Sequence, residues 1–221
     1  HRASSLINDF IKTAELIRLK HPNAPLFLLG DSMGGAVVIA ADAKRSLPPH
    51  KGKILIAPAL WGRETMPIWQ KATLYILSRV MPGFRVRGGN FGRKPSDNIS
   101  MLRALAIDKK VIKRTRIDAV YGLVNLMDTA LSGAKNLRGP SLILYGKKED
   151  IIPNSARFAT EKYFLNLSHN IFIKEYENGY HMLLRDLSAK IVWEDILNWI
   201  RNPMRDPSGG NSGFIYNGGN K

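Results

Sequence analysis

The sequence is constrained most strongly by the stretch from Pro25 to Ala43, PLFLLGDSMGGAVVIAADA. It opens with an apolar run, residues 26–29, which has the length of a buried strand, and it ends with a small-residue helix over residues 34–43. Between them lies Gly30-Asp31-Ser32-Met33-Gly34, a G-x-S-x-G pattern. This order predicts a strand that turns sharply into a helix, with a serine at the turn.

Such a turn suits a serine that acts as a nucleophile. We expect Ser32 to have a strained backbone with a positive φ, which lifts its hydroxyl clear of the sheet. Side chains two positions to either side would collide with the crossing backbone, so Gly30 and Gly34 are expected to be required, and Gly35 to allow close packing. The N–H of Met33 would lie at a helix N-terminus, where it can face an oxyanion. The alternative is a glycine-rich turn that carries an inert serine.

Length and composition set the class of protein. The 221 residues are enough for one large domain or for a domain with a lid. There is no cysteine, which excludes disulfides, a thiol nucleophile and cysteine-based metal sites and fits a cytoplasmic location. No apolar run reaches the roughly 18 residues of a membrane span. The chain begins with His1, and no signal peptide is expected among its first residues.

The formal net charge of +15 has two possible explanations, one in solubility and one in a binding partner. A generally basic composition that serves solubility is one explanation, and attraction to an anionic membrane surface is the functional one. Nucleic acid is not expected as a partner, because the sequence has no zinc-ligand spacing, no RNP-type strand and no basic helix with interleaved aromatic residues.

Short apolar strands alternate with helices along the chain, which predicts an α/β fold with a mostly parallel sheet flanked by helices. The predicted strands after the first one cover residues 53–57, 141–145 and 170–176. The predicted helices outside the middle of the chain cover residues 6–20, 156–165 and 186–200. We therefore assign residues 1–60 and 136–203 to the two parts of one core, and we expect residues 204–221, rich in Gly, Asn and Ser, to be a disordered tail.

Residues 61–135 interrupt this alternation and are predicted to form a helical lid. Helices are expected over residues 67–81, 98–107 and 111–131, with a Gly/Arg-rich loop at 84–97. Residues 61–130 contain 13 lysines and arginines and five acidic residues, a net charge of +8. The aromatic and methionine side chains of this segment are expected to form the lid core, and some of them to line an acyl pocket.

A serine nucleophile needs a base, and histidine is the expected one. The five histidines are His1, His21, His50, His169 and His181. Only His181 directly follows a late strand, in a loop at the carboxyl edge of the predicted sheet, where ligands bind. The other four are expected to be surface or capping residues.

The base in turn needs an acid, which should follow the strand that ends at Tyr145. The sequence there is Gly146-Lys147-Lys148-Glu149-Asp150-Ile151-Ile152-Pro153, with two adjacent carboxylates. The residues alone leave Glu149 and Asp150 both open.

Taken together, these segments resemble the monoacylglycerol lipase / lysophospholipase family of α/β-hydrolases, also called serine aminopeptidase-like. The matching pieces are LFLLGDSMGG, ILIAPALW, PSDNISMLRAL with YGLVNLMD, LILYGKKEDIIP and YENGYHMLLRD. The resemblance runs from about residue 10 to residue 200. It implies an α/β-hydrolase fold with an inserted lid, in which the chain corresponds to the C-terminal two thirds and the N-terminal strands are lacking.

The resemblance also implies roles for individual residues. Ser32 corresponds to the nucleophile, His181 to the base and the N–H of Met33 to one oxyanion donor. The family pattern G-x-x-D-x-x-x-P places the acid at Glu149, a departure from the usual aspartate, and Asp150 could replace it through a shifted loop. The second oxyanion donor of the family comes from a His-Gly loop before the nucleophile elbow, the G-x-S-x-G turn at Gly30–Gly34, and this loop would lie upstream of residue 1.

The function that follows from the resemblance is hydrolysis of lipid carboxylic esters, without a metal or an organic cofactor. The expected substrates are lysophospholipids or monoacylglycerols. One alternative is a non-catalytic α/β-hydrolase-like binding module. A peptidase or a thioesterase of the same fold is another.

Overall fold

The computed structural model describes residues 3–87, 92–165, 170–203 and 214–215. The helices are α1 (Ala3–Lys20), α2 (Met33–Ala43), α3 (Ile68–Val80), α4 (Ile99–Ile107), α5 (Ile117–Ala134), α6 (Asn154–Leu165) and α7 (Ala189–Arg201), with a 3-10 turn at Arg63–Thr65. The strands are β1 (Phe27–Asp31), β2 (Gly52–Ile56), β3 (Arg85–Arg87), β4 (Arg114–Arg116), β5 (Ser141–Gly146), β6 (Ile171–Tyr176) and β7 (Phe214–Ile215).

Five strands form the main sheet, in the order β1-β2-β5-β6-β7. Strands β1, β2, β5 and β6 are parallel, and β7 is antiparallel to β6. The helices provide the crossover connections that parallel strands require. Because the carboxyl ends of parallel strands meet at one edge of a sheet, the segments that follow β1, β5 and β6 lie side by side.

The central strands β2 and β5 are buried on both faces, and their side chains alternate between two apolar clusters. Leu55 and Ile143 face the cluster formed with α1, α2, α5 and α6. Ile54 and Leu142 face the smaller cluster formed with α7, where Trp199 is completely buried. The nearly continuous apolar sequences of β2 and β5 follow from this burial on both faces.

The helices between β2 and β5 differ in how they are packed. Helix α3 has no buried residue, whereas α5 packs along α2 and buries Leu126 and Ala130 in the main cluster. The C-terminal half of α5 therefore shares the main core, and the boundary of the lid at residue 135 stays a prediction. Among the described residues, no helix is long and apolar enough to cross a membrane.

Two predictions for this middle part are wrong in detail. The predicted loop at 84–97 contains β3, and the predicted helix at 111–131 begins only at Ile117, because residues 114–116 form β4. These two strands pair antiparallel, and the N–H of Ile117 donates to the carbonyl of Phe84 at 2.8 Å. Pairing with a distant segment overrides the helical spacing of Val111 and its successors.

Two further differences lie near the C-terminus. The last helix begins at Ala189 and not at Asp186, because the Asp186 carboxylate accepts the N–H of Tyr180 at 2.8 Å and holds this residue in a turn. The predicted disordered tail contains β7 at residues 214–215, which pairs with β6. The rest of the tail from residue 204, like His1 and His169, lies outside the described residues.

Candidate active site

Ser32 occupies the turn between β1 and α2. Its φ is 53° and its ψ is −114°, so the predicted positive φ is confirmed. The backbone is held on both sides, because the Ser32 N–H donates to the carbonyl of Ile56 at 2.8 Å and the Ser32 carbonyl accepts the N–H of Ala59 at 2.9 Å. A positive φ is costly for a residue other than glycine and persists where the surroundings fix it.

The glycines around Ser32 have different reasons to be there. A Cβ atom on Gly30 would lie 2.5 Å from the carbonyl oxygen of Gly34, and one on Gly35 would lie 2.8 Å from the Cβ of Pro58. These two contacts confirm the expected need for glycine. A Cβ on Gly34 would meet nothing within 4 Å, so the collision expected there is wrong. Space alone would admit alanine at position 34.

His181 lies within hydrogen-bond distance of Ser32. Its Nε2 atom is 2.8 Å from the Ser32 Oγ, although the two residues are 149 positions apart in the chain. On the other side of the ring, Nδ1 is 2.6 Å from the Glu149 Oε2. Because the Glu149 carboxylate accepts at Nδ1, the ring proton belongs on Nδ1, and Nε2 is free to accept the serine hydroxyl.

Glu149 is fixed in place by its own backbone loop. Its side chain is fully buried, and its Oε1 accepts the N–H groups of Ile151 at 2.7 Å and Ile152 at 3.1 Å. The other carboxylate oxygen is therefore left to face His181. A carboxylate held in this way can orient the imidazole.

Asp150 points elsewhere. It is exposed, and its Oδ2 accepts the N–H of Lys94 at 2.7 Å. Of the two carboxylates that the sequence left open, the structure brings Glu149 to His181 and joins Asp150 to the segment before α4.

The two other histidines that the structure describes lie at the opposite edge of the sheet from Ser32. His21 follows α1 and is exposed, and the His50 Nδ1 is 3.0 Å from the carbonyl of Pro48. These residues precede β1 and β2, whereas Ser32 follows β1. Neither therefore competes with His181 for the serine.

Two glycines allow the acid loop (residues 147–153, with Glu149) and the base loop (residues 177–188, with His181) to meet, a contact that the sequence did not reveal. A Cβ on Gly146 would lie 2.2 Å from the carbonyl oxygen of Gly179, and a Cβ on Gly179 would lie 3.0 Å from the Cα of Gly146. The N–H of Lys148 donates to that Gly179 carbonyl at 2.9 Å. An isolated glycine at a strand end signals such a close approach.

A buried polar cluster beside His181 was also missed. The Asp186 carboxylate accepts the Ser96 hydroxyl at 2.6 Å and the N–H of Tyr180 at 2.8 Å. Burial raises the pKa of the Asp186 carboxyl, and the hydrogen bonds from Ser96 and from the Tyr180 N–H oppose that rise. Nothing local in the sequence signals this cluster, because Ser96 and Asp186 are 90 residues apart.

The arrangement has the parts that an acyl-transfer site uses. A hydroxyl, an imidazole and a carboxylate are joined in series, and Met33, the first residue of α2, carries one of the N–H groups that have no partner within the helix. Across the described residues, no group of three or more His, Cys, Asp or Glu side chains could hold a metal ion.

The sequence of the chain matches the model of a known protein family. The sequence model of the family described as serine aminopeptidase, S33, matches residues 1–188. The chain belongs to this family. The matched residues include the turn at Ser32, the loop that carries Glu149 and the loop that carries His181. The match confirms the resemblance seen in the sequence.

Curated relatives of this S33 family protein carry lipase names. It is 24% identical over 209 residues to a monoacylglycerol lipase of Mycolicibacterium smegmatis, covering 89% of this chain and 69% of the relative. It is 26% identical over 202 residues to the monoglyceride lipase of Rattus norvegicus, covering 88% of this chain and 64% of the relative. The chain thus spans about two thirds of the length of these relatives.

A solved structure supports the fold of this S33 protein. The crystal structure of the Paleococcus ferrophilus monoacylglycerol lipase superimposes with a TM-score of 0.71 at 22% identity, covering 89% of this chain and 76% of that chain. At 22% identity this likeness shows the fold alone. The predicted α/β-hydrolase fold, a mostly parallel sheet flanked by helices, is confirmed.

Proposed function

We propose that this protein is a serine hydrolase that cleaves carboxylic esters of lipids, of the monoacylglycerol lipase or lysophospholipase type. The observation that carries the proposal is the His181 ring, which lies 2.8 Å from the Ser32 Oγ and 2.6 Å from the Glu149 Oε2. A hydroxyl is a weak nucleophile until a positioned base accepts its proton. Ser32 is the proposed nucleophile, His181 the base and Glu149 the acid.

The proposed reaction has two halves. The Ser32 Oγ attacks the ester carbonyl while His181 Nε2 takes the hydroxyl proton, and Glu149 stabilises the resulting imidazolium. The tetrahedral intermediate collapses, and the leaving alcohol takes the proton from Nε2. Water then attacks the acyl-enzyme with His181 again as the base, which releases the fatty acid and restores the serine hydroxyl.

The backbone N–H of Met33 is the proposed oxyanion donor. It lies at the N-terminus of α2, directly after the nucleophile, so its partial positive charge faces the side where the carbonyl oxygen becomes negative. One such donor is worth about 10²–10³ in kcat in a serine hydrolase.

An apolar cluster next to the nucleophile supports a lipid substrate. Met33, Trp61, Met66 and Leu74 pack around Ala59, Val124 and Met127. Met33 adjoins Ser32 in the chain, so one member of the cluster belongs to the residue next to the proposed nucleophile. Long, flexible methionine side chains adapt well to an acyl chain. The lipase names of the relatives agree with this substrate class.

The substrate class can be tested with a matched panel of acyl donors. We expect the purified chain to release oleate from monooleoylglycerol or from oleoyl lysophosphatidylcholine, and the Ser32→Ala variant to release none above background. The same preparations should be incubated with an oleoyl-CoA thioester and with an aminoacyl p-nitroanilide, and free acid or amine quantified by mass spectrometry.

The panel separates the alternatives. Ser32-dependent turnover of the anilide but not of the esters would identify a peptidase, and preference for the thioester would identify a thioesterase. Failure of all four substrates, together with no reaction of Ser32 with a fluorophosphonate, would leave the non-catalytic binding module.

We further propose that the protein contacts an anionic membrane surface through the β3–β4 ribbon, defined by residues 85–87 and 114–116. Arg85 pairs with Arg116, and Arg87 pairs with Arg114, so the period-2 alternation of strands puts four arginines on one face. Like charges directly opposite each other are unfavourable without a counter-charge. Arg116 has one in Asp118, and the other three have no ion pair among the described residues.

Exposed apolar side chains beside the ribbon favour a bilayer over a nucleic acid. Val80 is 72% exposed just before the ribbon, Phe84 adjoins Arg85, and Ile112, two residues before Arg114, is 79% exposed. Arginines would meet lipid phosphates or carboxylates, while these side chains would enter the headgroup region.

The membrane proposal is tested by sedimentation with vesicles, using Ser32→Ala protein so that lipid stays intact. We expect R85Q/R87Q/R114Q to weaken binding to phosphatidylserine-containing vesicles about 100-fold, at about 1 kcal/mol for each arginine. The control K12Q/K20Q/K51Q removes the same charge from exposed lysines on α1 and before β2 and should have a smaller effect. Equal losses in both triple variants, or a preference for duplex DNA over vesicles, would contradict the proposal.

A further inference from the structure

Residues 93–98, which lead into α4, contact both loops of the candidate active site. On the side of the acid loop, the Arg93 guanidinium donates to the carbonyl of Ile151 at 3.1 Å and the Lys94 N–H donates to Asp150 at 2.7 Å. The 93–98 segment therefore touches the two residues that directly follow Glu149.

On the side of the base loop the contacts of the 93–98 segment are denser. The carbonyl of Pro95 accepts the N–H of Met182 at 2.9 Å, and the carboxylate of Asp97 accepts the N–H of Leu187 at 2.8 Å. The Asn98 side-chain amide donates to the carbonyl of Arg185 at 3.0 Å. Each residue from 93 to 98 thus has a hydrogen bond to the loop that carries the acid or to the loop that carries the base, once the Ser96 contact is included.

The Ser96 contact is the most buried of these. Ser96 is 0% exposed and Asp186 is 4% exposed, and the Ser96 hydroxyl donates to the Asp186 Oδ1 at 2.6 Å. The Ser96 Oγ in turn accepts the N–H of Asn98 at 3.2 Å. The second carboxylate oxygen of Asp186 accepts the N–H of Tyr180. Both oxygens are used, and neither contact goes to His181 itself.

The geometry points to Asp186 and Ser96 as positioning residues for His181, an inference that rests on the proposed function. The backbone is fixed on each side of the histidine: Tyr180 by Asp186, and Met182 by the carbonyl of Pro95. With both neighbours held, the imidazole keeps the orientation in which one nitrogen faces Ser32 and the other faces Glu149. A misplacement of about 1 Å in a catalytic group can cost about 10² in rate.

The alternative is that the cluster only stabilises the fold. A carboxylate that is this buried and accepts two hydrogen bonds would destabilise the protein when removed, whatever its role in catalysis. The two roles separate if the rate is expressed per reactive serine. A fold-stabilising role lowers the number of reactive serines, whereas a positioning role lowers the rate at each of them.

The test measures kcat and KM on p-nitrophenyl butyrate, with active sites titrated by a fluorophosphonate. We expect Asp186→Ala to lower kcat per titrated site about 10- to 100-fold with little change in KM. Asp186→Asn keeps an acceptor for the Tyr180 N–H and should recover most of that loss. Ser96→Ala keeps the Asp186–Tyr180 contact and should lose less than Asp186→Ala.

Ile11→Ala serves as the control for lost stability. Ile11 is a buried residue of α1 in the main apolar cluster, and it belongs to neither loop. Its truncation should lower the midpoint of thermal unfolding and leave kcat per titrated site unchanged. An Asp186→Ala protein that behaves in the same way, with fewer titratable sites and a normal rate at each, would overturn the inference.

An NMR measurement keeps the positioning inference apart from the proposed function. The proton between His181 Nδ1 and Glu149 gives a low-field resonance whether or not the chain turns over an ester. We expect this resonance in the wild type and in Ile11→Ala, and its loss or exchange broadening in Asp186→Ala. A resonance that is unchanged in Asp186→Ala contradicts the positioning role even if the wild type proves inactive.

Discussion

Replacing Ser32 by alanine is expected to reduce ester hydrolysis about 10⁶-fold, which is the background of most assays, and to abolish labelling by a fluorophosphonate. In the proposed reaction the Ser32 Oγ takes the acyl group, so no acyl-enzyme can form once that atom is gone. His181 would remain beside Glu149, but it would have no hydroxyl to activate. The measurement is the rate of fatty-acid release, together with the intensity of the labelled band.

The control for this result is Ser5→Ala. Ser5 is an exposed residue of α1, so its loss should change neither the rate nor the labelling. Ser32→Ala should also unfold at a temperature close to that of the wild type, because the substitution removes only one hydroxyl at the surface of the turn. Labelling that persists in Ser32→Ala would place the nucleophile elsewhere.

The second large effect is expected from Glu149→Gln, with a loss of about 10³–10⁴ in kcat. In a Ser-His-Asp protease the corresponding amide substitution costs about 10⁴, because the amide favours the wrong imidazole tautomer. Here the Glu149 Oε1 already accepts two backbone N–H groups, so the amide nitrogen of a glutamine would face His181. That nitrogen donates to Nδ1, and it would drive the ring proton to Nε2, the position that must stay free to accept the serine hydroxyl.

Asp150→Asn is the matched substitution one residue later. Its carboxylate accepts the Lys94 N–H and, among the described residues, has no hydrogen bond to His181, so we expect a change in kcat of about 3-fold or less. Both variants should be assayed with the same ester, each at the same number of degrees below its own unfolding midpoint. A large loss in Asp150→Asn with a small one in Glu149→Gln would reverse the assignment and require the acid loop to shift on substrate binding.

Most of the fold could be predicted from residues that are close together in the sequence. The elbow, the buried strands at residues 53–57 and 141–145 and the helix that follows Pro153 are set by apolar runs, glycines and prolines that are near each other in the chain. The positive φ of Ser32 and the tight approach at Gly30 followed from the same reasoning. At Gly34 it failed, since the position faces open space and the argument had assumed a symmetric crossing of the backbone.

Contacts between distant segments explain what the sequence did not reveal. Strands β3 and β4 are three residues each and consist mostly of arginine, so they lack the apolar alternation that marks a strand. Their pairing depends on a partner about 30 residues away. The Ser96–Asp186 contact spans 90 residues and joins two common residue types. The spacing of the family pattern favoured Glu149 over Asp150, but the backbone N–H groups that hold the Glu149 carboxylate towards His181 could not be read from the sequence.

The roles of Ser32 as nucleophile and His181 as base are tested most directly by peptide mapping by mass spectrometry after reaction with a fluorophosphonate, carried out in parallel on the wild type and on His181→Ala. We expect a single adduct on Ser32 in the wild type, and in His181→Ala a rate of adduct formation lower by at least about 10³-fold, because the hydroxyl has lost its base. An adduct on another residue, or equal rates in the two proteins, would contradict these roles.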